Sequence, residues 1–180
     1  VTSANAGLWV DPEHDPRALG PDPVGEKETV WEYLCRYRQT LVMKCEGLDA
    51  EQLARRSVPP SALSLLGIVR HLANAEHHWF GRVLGGLRTP GPFDLPGIAD
   101  HDFDGAQATD ACVTEAWGEW HQAVEASDDL IWAEEMAREV PYGGGTVEAR
   151  DVILHLLEEY ARHMGHVDLL RECIDGRTGL

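Results

Sequence analysis

The stretch His155-Leu156-Leu157-Glu158-Glu159-Tyr160-Ala161-Arg162-His163-Met164-Gly165-His166 decides the fold. At about 100° per residue, His155 and His163 lie about 40° to either side of Glu159, and His166 lies about 20° away. Val152, Leu156 and Leu170 share that sector. The segment is therefore an amphipathic helix whose apolar stripe carries a carboxylate and three imidazoles. Such groups are tolerated against other helices when they are paired, hydrogen-bonded or metal-bound.

Working outward, the helix is expected to start with Thr146 as cap, to run to about Ile174 and to stop at Gly176. Toward the N-terminus, Val30, Leu34, Tyr37, Leu41, Cys45 and Leu48 recur at spacings of three and four, which marks a first long helix. Asp49 caps a short segment over residues 50–56, broken by Pro59 and Pro60. Ser61 or Ser64 caps a second helix with Leu65, Ile68, His71, Leu72, Ala75, His78 and Trp79 on one face, ending at Gly85-Gly86. Residues 87–108 hold Pro90, Pro92 and Pro96 and form a long irregular connection near the site. Val113, Trp117, Trp120 and Val124 mark a third helix, expected to break near residues 127–129 and to continue briefly to Met136. The Gly143-Gly144-Gly145 run reads as a hinge, and no strand pattern is expected anywhere. The fold class is all-α, a four-helix bundle with a long connection between helices two and three. Residues 1–22 form an extended arm, anchored by Trp9 and Val10, and residues 23–180 form the bundle domain.

Composition narrows the function. The 180 residues fit one domain with a core that needs no disulfide support. A net charge of −16 repels phosphate backbones and anionic lipid, so neither nucleic acid nor membrane is an expected partner. Two Lys stand against thirteen Arg. Cys35, Cys45, Cys112 and Cys173 form no CxxC motif and read as reduced thiols. No segment reads as a membrane span or a signal peptide. The expected location is the cytoplasm.

Glu159 and His163 stand at i and i+4, where a carboxylate oxygen and an imidazole nitrogen can share one ion. His71 supplies a third donor from the second helix. Three protein ligands leave a position open for water or substrate, as a catalytic Zn site requires. A plain alternative is that Glu159 and His163 are an intrahelical ion pair beside Glu158 and Arg162. On that reading His71, His155 and His166 are satisfied structural histidines.

The segment from Pro60 to Leu72, followed by Glu76 to Phe80, resembles the second helix of the DinB-like superfamily, and the quoted closing stretch resembles its last helix. The resemblance covers about residues 24–176. It implies one His from the second helix and two ligands four apart on the last, usually both His. Here Glu159 stands first, as in the branch of mycothiol-dependent maleylpyruvate isomerases and mycothiol S-transferases. The implied ligands are His71, Glu159 and His163, with Zn or else Ni as the metal. The isomerases carry a further C-terminal domain, so the single-domain transferase is the closer analogy.

The resemblance implies a metal-dependent transferase that joins a low-molecular-weight thiol, mycothiol or a relative, to an electrophilic small molecule. A homodimer is expected. His155 and His166 are the candidate catalytic residues, placed to orient ligands or shuttle a proton, and Arg70 or Arg162 could engage an anionic substrate. The pocket is expected between helices two and four, lined by His78, Trp79, His155 and His166. A hydrolase using metal-activated water and a non-catalytic binding bundle are the alternatives.

Overall fold

The computed structural model describes residues 7–18 and 22–179. Helix α1 spans Glu26–Cys45 and is followed by the short α2, Ala50–Ala54. The Asp49 side chain accepts the Gln52 backbone N–H while the Gln52 side chain accepts that of Asp49, a reciprocal capping box that starts α2. Helix α3, Leu65–Glu76, begins where the Ser64 hydroxyl accepts the Gly67 N–H. It continues as a π-helical segment, His77–Leu84. The connection that follows contains the one-turn α4, His101–Asp104, before α5, Asp110–Ala133, capped by Thr109. A hairpin of β1, Glu139–Tyr142, and β2, Gly145–Glu148, leads into α6, Ala149–Asp175.

Four principal helices make the bundle, with α3 packed on α5 and α6, and α1 packed on α6. Leu34 and Leu41 from α1, Leu65, Ile68 and Leu72 from α3, and Ile153 and Leu156 from α6 are fully buried. Within this apolar core runs one polar network. Arg38 forks onto Glu76 through two hydrogen bonds of 2.8 Å, and the Tyr160 hydroxyl donates to the same carboxylate at 2.8 Å. Trp120 Nε1 donates in turn to the Tyr160 oxygen at 2.8 Å. The network ties α1, α3, α5 and α6 together at one level. Burial raises the Tyr160 pKa well above its ordinary value, and the adjoining Glu76 carboxylate adds to the shift, so the phenol stays a donor.

Three expectations need correction. Thr146 does not cap the last helix; it pairs with Pro141 in the hairpin, and α6 starts after Glu148. The glycine run is a two-residue hairpin turn, because Gly143 at φ 60 and Gly144 at φ 85 give both central residues the positive φ that matches strand twist. Helix α5 does not break near residues 127–129. Ser127 is buried there, and Asp128 accepts from Arg38 Nη1 at 2.6 Å and Trp31 Nε1 at 3.2 Å, which holds the segment against α1. Gly176, at φ 78, ends α6 as expected. Among the described residues no helix is long and apolar enough to cross a membrane. Trp9 is buried beneath Lys44, Arg171 and Arg177, whose cationic groups lie 4.2, 5.2 and 3.6 Å from its ring centroid.

Candidate metal centre

Helix α3 delivers His71 and α6 delivers Glu159 and His163 to one point, with one donor atom of each within 4.8 Å of the others. Glu159 Oε2 sits between the two imidazoles, 3.8 Å from His71 Nε2 and 3.7 Å from His163 Nε2. Both separations exceed hydrogen-bond length. Tetrahedral Zn with bonds of about 2.1 Å would space its ligands about 3.4 Å apart, so Glu159 Oε2 stands within a few tenths of an ångström of that spacing from each imidazole.

Protonation favours the same conclusion. Asp102 in α4 accepts a 2.8 Å hydrogen bond from His71 Nδ1. A carboxylate only accepts, so Nδ1 carries the proton and Nε2 turns its lone pair toward Glu159. Burial opposes ionisation of Asp102, but the hydrogen bond from His71, helped by the Phe103 backbone N–H, outweighs it and holds the carboxyl below its usual range. His163 is pushed down to about 3, chiefly by burial and then by His71 and His166, so it is a neutral imidazole at physiological pH. Two nitrogen lone pairs and a carboxylate, held apart at more than bonding distance, are a donor set that fits a divalent cation.

The stacking of His71 on Phe103, 4.6 Å between centroids, fixes the ring from its other side. Asp102 and Phe103 are the residues that sequence reasoning missed. They come from the proline-rich connection, whose lack of periodicity gives no clue to which acid faces inward.

The remaining histidines divide by position. His155 Nε2 lies 3.4 Å from Glu159 Oε1, the carboxylate oxygen not facing His71 and His163, and its ring packs 4.0 Å from Trp79. Of the four residues expected to line the pocket, His78 and Trp79 do, whereas His155 and His166 do not. His166 lies behind His163. Its Nδ1 lies 3.5 Å from His163 Nδ1, on the opposite ring edge from Glu159. His78 lines the cleft, with its pKa lowered by burial and then by Arg82. Arg70 is buried and spent on the connection, donating to the carbonyls of Asp102 at 2.7 Å and His101 at 3.1 Å. Arg162 lies on the exposed side of α6 and pairs with Glu158.

Beside the donors opens a cleft of ≈ 250 Å³ walled by Asn74, His78, Trp79 and Asp94, with His71 and Glu159 at its floor. Trp79 and His78 sit in the π-helical segment, whose wider turn is confirmed by the 2.7 Å bond from Gly85 N to the Phe80 carbonyl. Tyr142 of the hairpin packs 5.3 Å from Trp79 and closes the aromatic side. A partly open cleft that joins this donor set to the Trp79 ring can hold a polar group beside an apolar one.

No curated protein and no solved structure matches this sequence. The family model described as Mycothiol-S-transferase matches residues 29–176, which include α3, the connection, the hairpin and every residue of the donor set. With most of its length matched, the chain belongs to the mycothiol-S-transferase family.

Proposed function

We propose that the protein is a metal-dependent thiol S-transferase that joins a mycothiol-type thiol to an electrophilic small molecule. The observation that carries this reading is the convergence of His71, Glu159 and His163 beside a cleft that His71 and Glu159 line. Zn, or Ni in its place, would be held by those three residues. When bound, such an ion lowers the pKa of a thiol brought to its open position.

The chain's own groups account for the rest of the reaction. In the overall change the thiol S–H loses its proton, sulfur forms a bond to the electrophilic carbon, and the leaving group departs with the displaced electron pair. His155 is placed to take the proton. Of the three imidazoles around Glu159 it is the most exposed, 41% against 25% for His71 and 9% for His163, so it can pass the proton to solvent. His166 orients His163 and does not itself reach the cleft. Trp79, His78 and Tyr142 exclude water and hold the electrophile. None of Cys35, Cys45, Cys112 and Cys173 is needed as a nucleophile. The same reading takes the protein to be a cytoplasmic homodimer, for which light scattering gives the mass.

The test is a conjugation assay with mycothiol and an electrophile panel, run beside metal analysis of the purified protein. Turnover should require both thiol and metal, and His71→Ala should reduce it at least about a hundredfold while the helical circular dichroism persists. Turnover independent of added thiol would identify a hydrolase. Activity that survives His71→Ala would overturn the donor assignment.

A further inference from the structure

One face of α3 and of the π-helical segment that extends it holds the connection in place, through residues spaced three or four apart. His77 Nε2 donates to the Thr89 carbonyl at 3.1 Å. The Asn74 amide accepts from the Phe93 N–H at 2.9 Å and donates to Asp94 Oδ1 at 3.1 Å. Arg70 donates from Nε to the Asp102 carbonyl at 2.7 Å and from Nη2 to the His101 carbonyl at 3.1 Å. At Gly67 a Cβ would come within 3.3 Å of Phe103 Cα, so the two backbones meet closely there. From His77 back to Gly67 the connection runs antiparallel to the helix, and a periodic seam fixes an aperiodic segment. Its anchors differ in what they hold. Asn74 and His77 hold Thr89, Phe93 and Asp94, whereas Arg70 holds the residue that bonds His71.

Helix α4 needs that support. It is a single turn, too short to be stable by itself. Its N-cap Asp100 sits at φ 55, a left-handed conformation disfavoured for a residue with a side chain, and makes no side-chain cap hydrogen bond. A guanidinium carries its N–H groups in a rigid planar fork, and here two of them fix the carbonyls of consecutive residues. With its carbonyl held, Asp102 presents its carboxylate 2.8 Å from His71 Nδ1. Arg70 is 3% exposed and keeps its positive charge, because its partners are those neutral carbonyls, Cys112 Sγ at 3.9 Å and the face of Phe93, 4.1 Å from the ring centroid. A buried charge carries a desolvation cost that an apolar side chain of similar volume avoids, so packing alone does not account for an arginine here. Gly105 completes the fit. A Cβ there would lie 2.6 Å from Arg70 Nη2 and 2.6 Å from the His101 carbonyl oxygen, while φ −80 is open to any residue, so the glycine serves close approach to the fork.

We propose that Arg70 is a positioning residue for the metal centre: by fixing the carbonyls of His101 and Asp102 it aims the Asp102 carboxylate at His71 Nδ1, and thereby the His71 Nε2 lone pair at Glu159. The metal part of this role rests on the donor assignment above. Asn74 is the internal control, since it anchors the same connection at Phe93 and Asp94 instead.

Two measurements test it. In metal-free protein at about pH 8, where an ordinary imidazole is neutral, a long-range proton–nitrogen spectrum reads the His71 tautomer, with the resonance assigned by its loss in His71→Gln. Wild type should show the Nδ1–H form, and Arg70→Met a mixture of the two tautomers. Competition for Zn against a chelator then gives the affinity, which Arg70→Met should lower about tenfold or more. Gly105→Ala, which keeps the charge but displaces the fork, should move both readouts in the same direction, and it decides the matter if Arg70→Met loses its helical circular dichroism. Asn74→Ala should stay within about threefold of wild type. In an Asp102→Ala background Arg70→Met should cost no more than about threefold further, because residues that act in series do not add. A wild-type tautomer and affinity in both Arg70→Met and Gly105→Ala overturns the role, as does an equal loss in Asn74→Ala or a full Arg70 effect without Asp102. If wild type binds no Zn, the donor assignment fails, and the tautomer shift still upholds the hold of Arg70 on His71. The expected order of Zn affinities in a protein without thiol-dependent turnover upholds Arg70 and sinks the transferase reading alone.

Discussion

Asp102 matters to the donor set without belonging to it. By accepting the His71 Nδ1 proton it selects the tautomer whose Nε2 lone pair points at Glu159, and Phe103 next to it holds the ring in place. Asp102→Ala should leave the bundle folded and weaken metal binding about 10–100-fold in a chelator competition. Affinity equal to wild type would show that packing alone orients His71. A second residue-scale prediction concerns the core network. Tyr160→Phe strands the buried Trp120 N–H at a cost of about 1–3 kcal/mol. Glu76→Leu leaves the Arg38 guanidinium buried with Asp128 as its remaining acid, which costs more, about 3–5 kcal/mol. Urea midpoints should therefore fall further for Glu76→Leu than for Tyr160→Phe, and the opposite order would mean that Arg38 escapes to water when Glu76 is lost.

At the scale of elements, what was legible in the sequence depended on whether a residue belonged to a long period. The stripe of α6 placed Glu159 and His163 four apart, and the face of α3 placed His71, so the three residues that converge in the fold could be named before any coordinate. Asp102 could not, because it reaches His71 through the tertiary path of an aperiodic connection across a 31-residue separation. The hairpin escaped for a different reason. Its strands are four residues long and largely exposed, with Pro141 in one of them, so they carry little alternation. Its turn did leave a signal: two glycines between Tyr142 and Gly145 are a type I′ composition, and reading them as a hinge overlooked it. The π-helical segment is marked by nothing in the sequence beyond the glycines that end it. Because Tyr142 packs on Trp79, the hairpin turn acts on the cleft. Replacing Gly143 and Gly144 together by Ala forces two residues with side chains to positive φ, at about 1–2 kcal/mol each. Thermal melts should register that loss, and Trp79 fluorescence, isolated by comparison with Trp79→Phe, should shift as its Tyr142 contact loosens. A melt unchanged by the double substitution would mean that the turn relaxes to another type.

For the molecule as a whole, the buried His163 makes stability depend on acid. His163 titrates near 6.5 in an unfolded chain but is held neutral down to about 3 in the fold, by burial and by the neighbouring His71 and His166. Between those two values the unfolded chain takes up a proton that the folded protein refuses. By linkage, this contribution to stability is complete above the unfolded value and is lost as pH falls through the window toward 3. Carboxylates such as Asp102 and Asp175, whose pKa values are lowered in the fold, also lose their contribution on acidification, so wild type alone does not isolate the effect. His163→Gln does, because it removes the imidazole and leaves those acids in place. Urea unfolding of metal-free protein at pH 7.5 and at pH 4.5 should show a decline larger in wild type than in His163→Gln by on the order of 2 kcal/mol. Divalent metal at fixed concentration should raise wild-type stability more at pH 7.5 than at pH 4.5, since it binds the folded state alone and only through deprotonated ligands. Equal pH dependence in the two metal-free proteins would mean that His163 takes its proton in the folded state after all, and that α6 shifts to admit water beside Glu159.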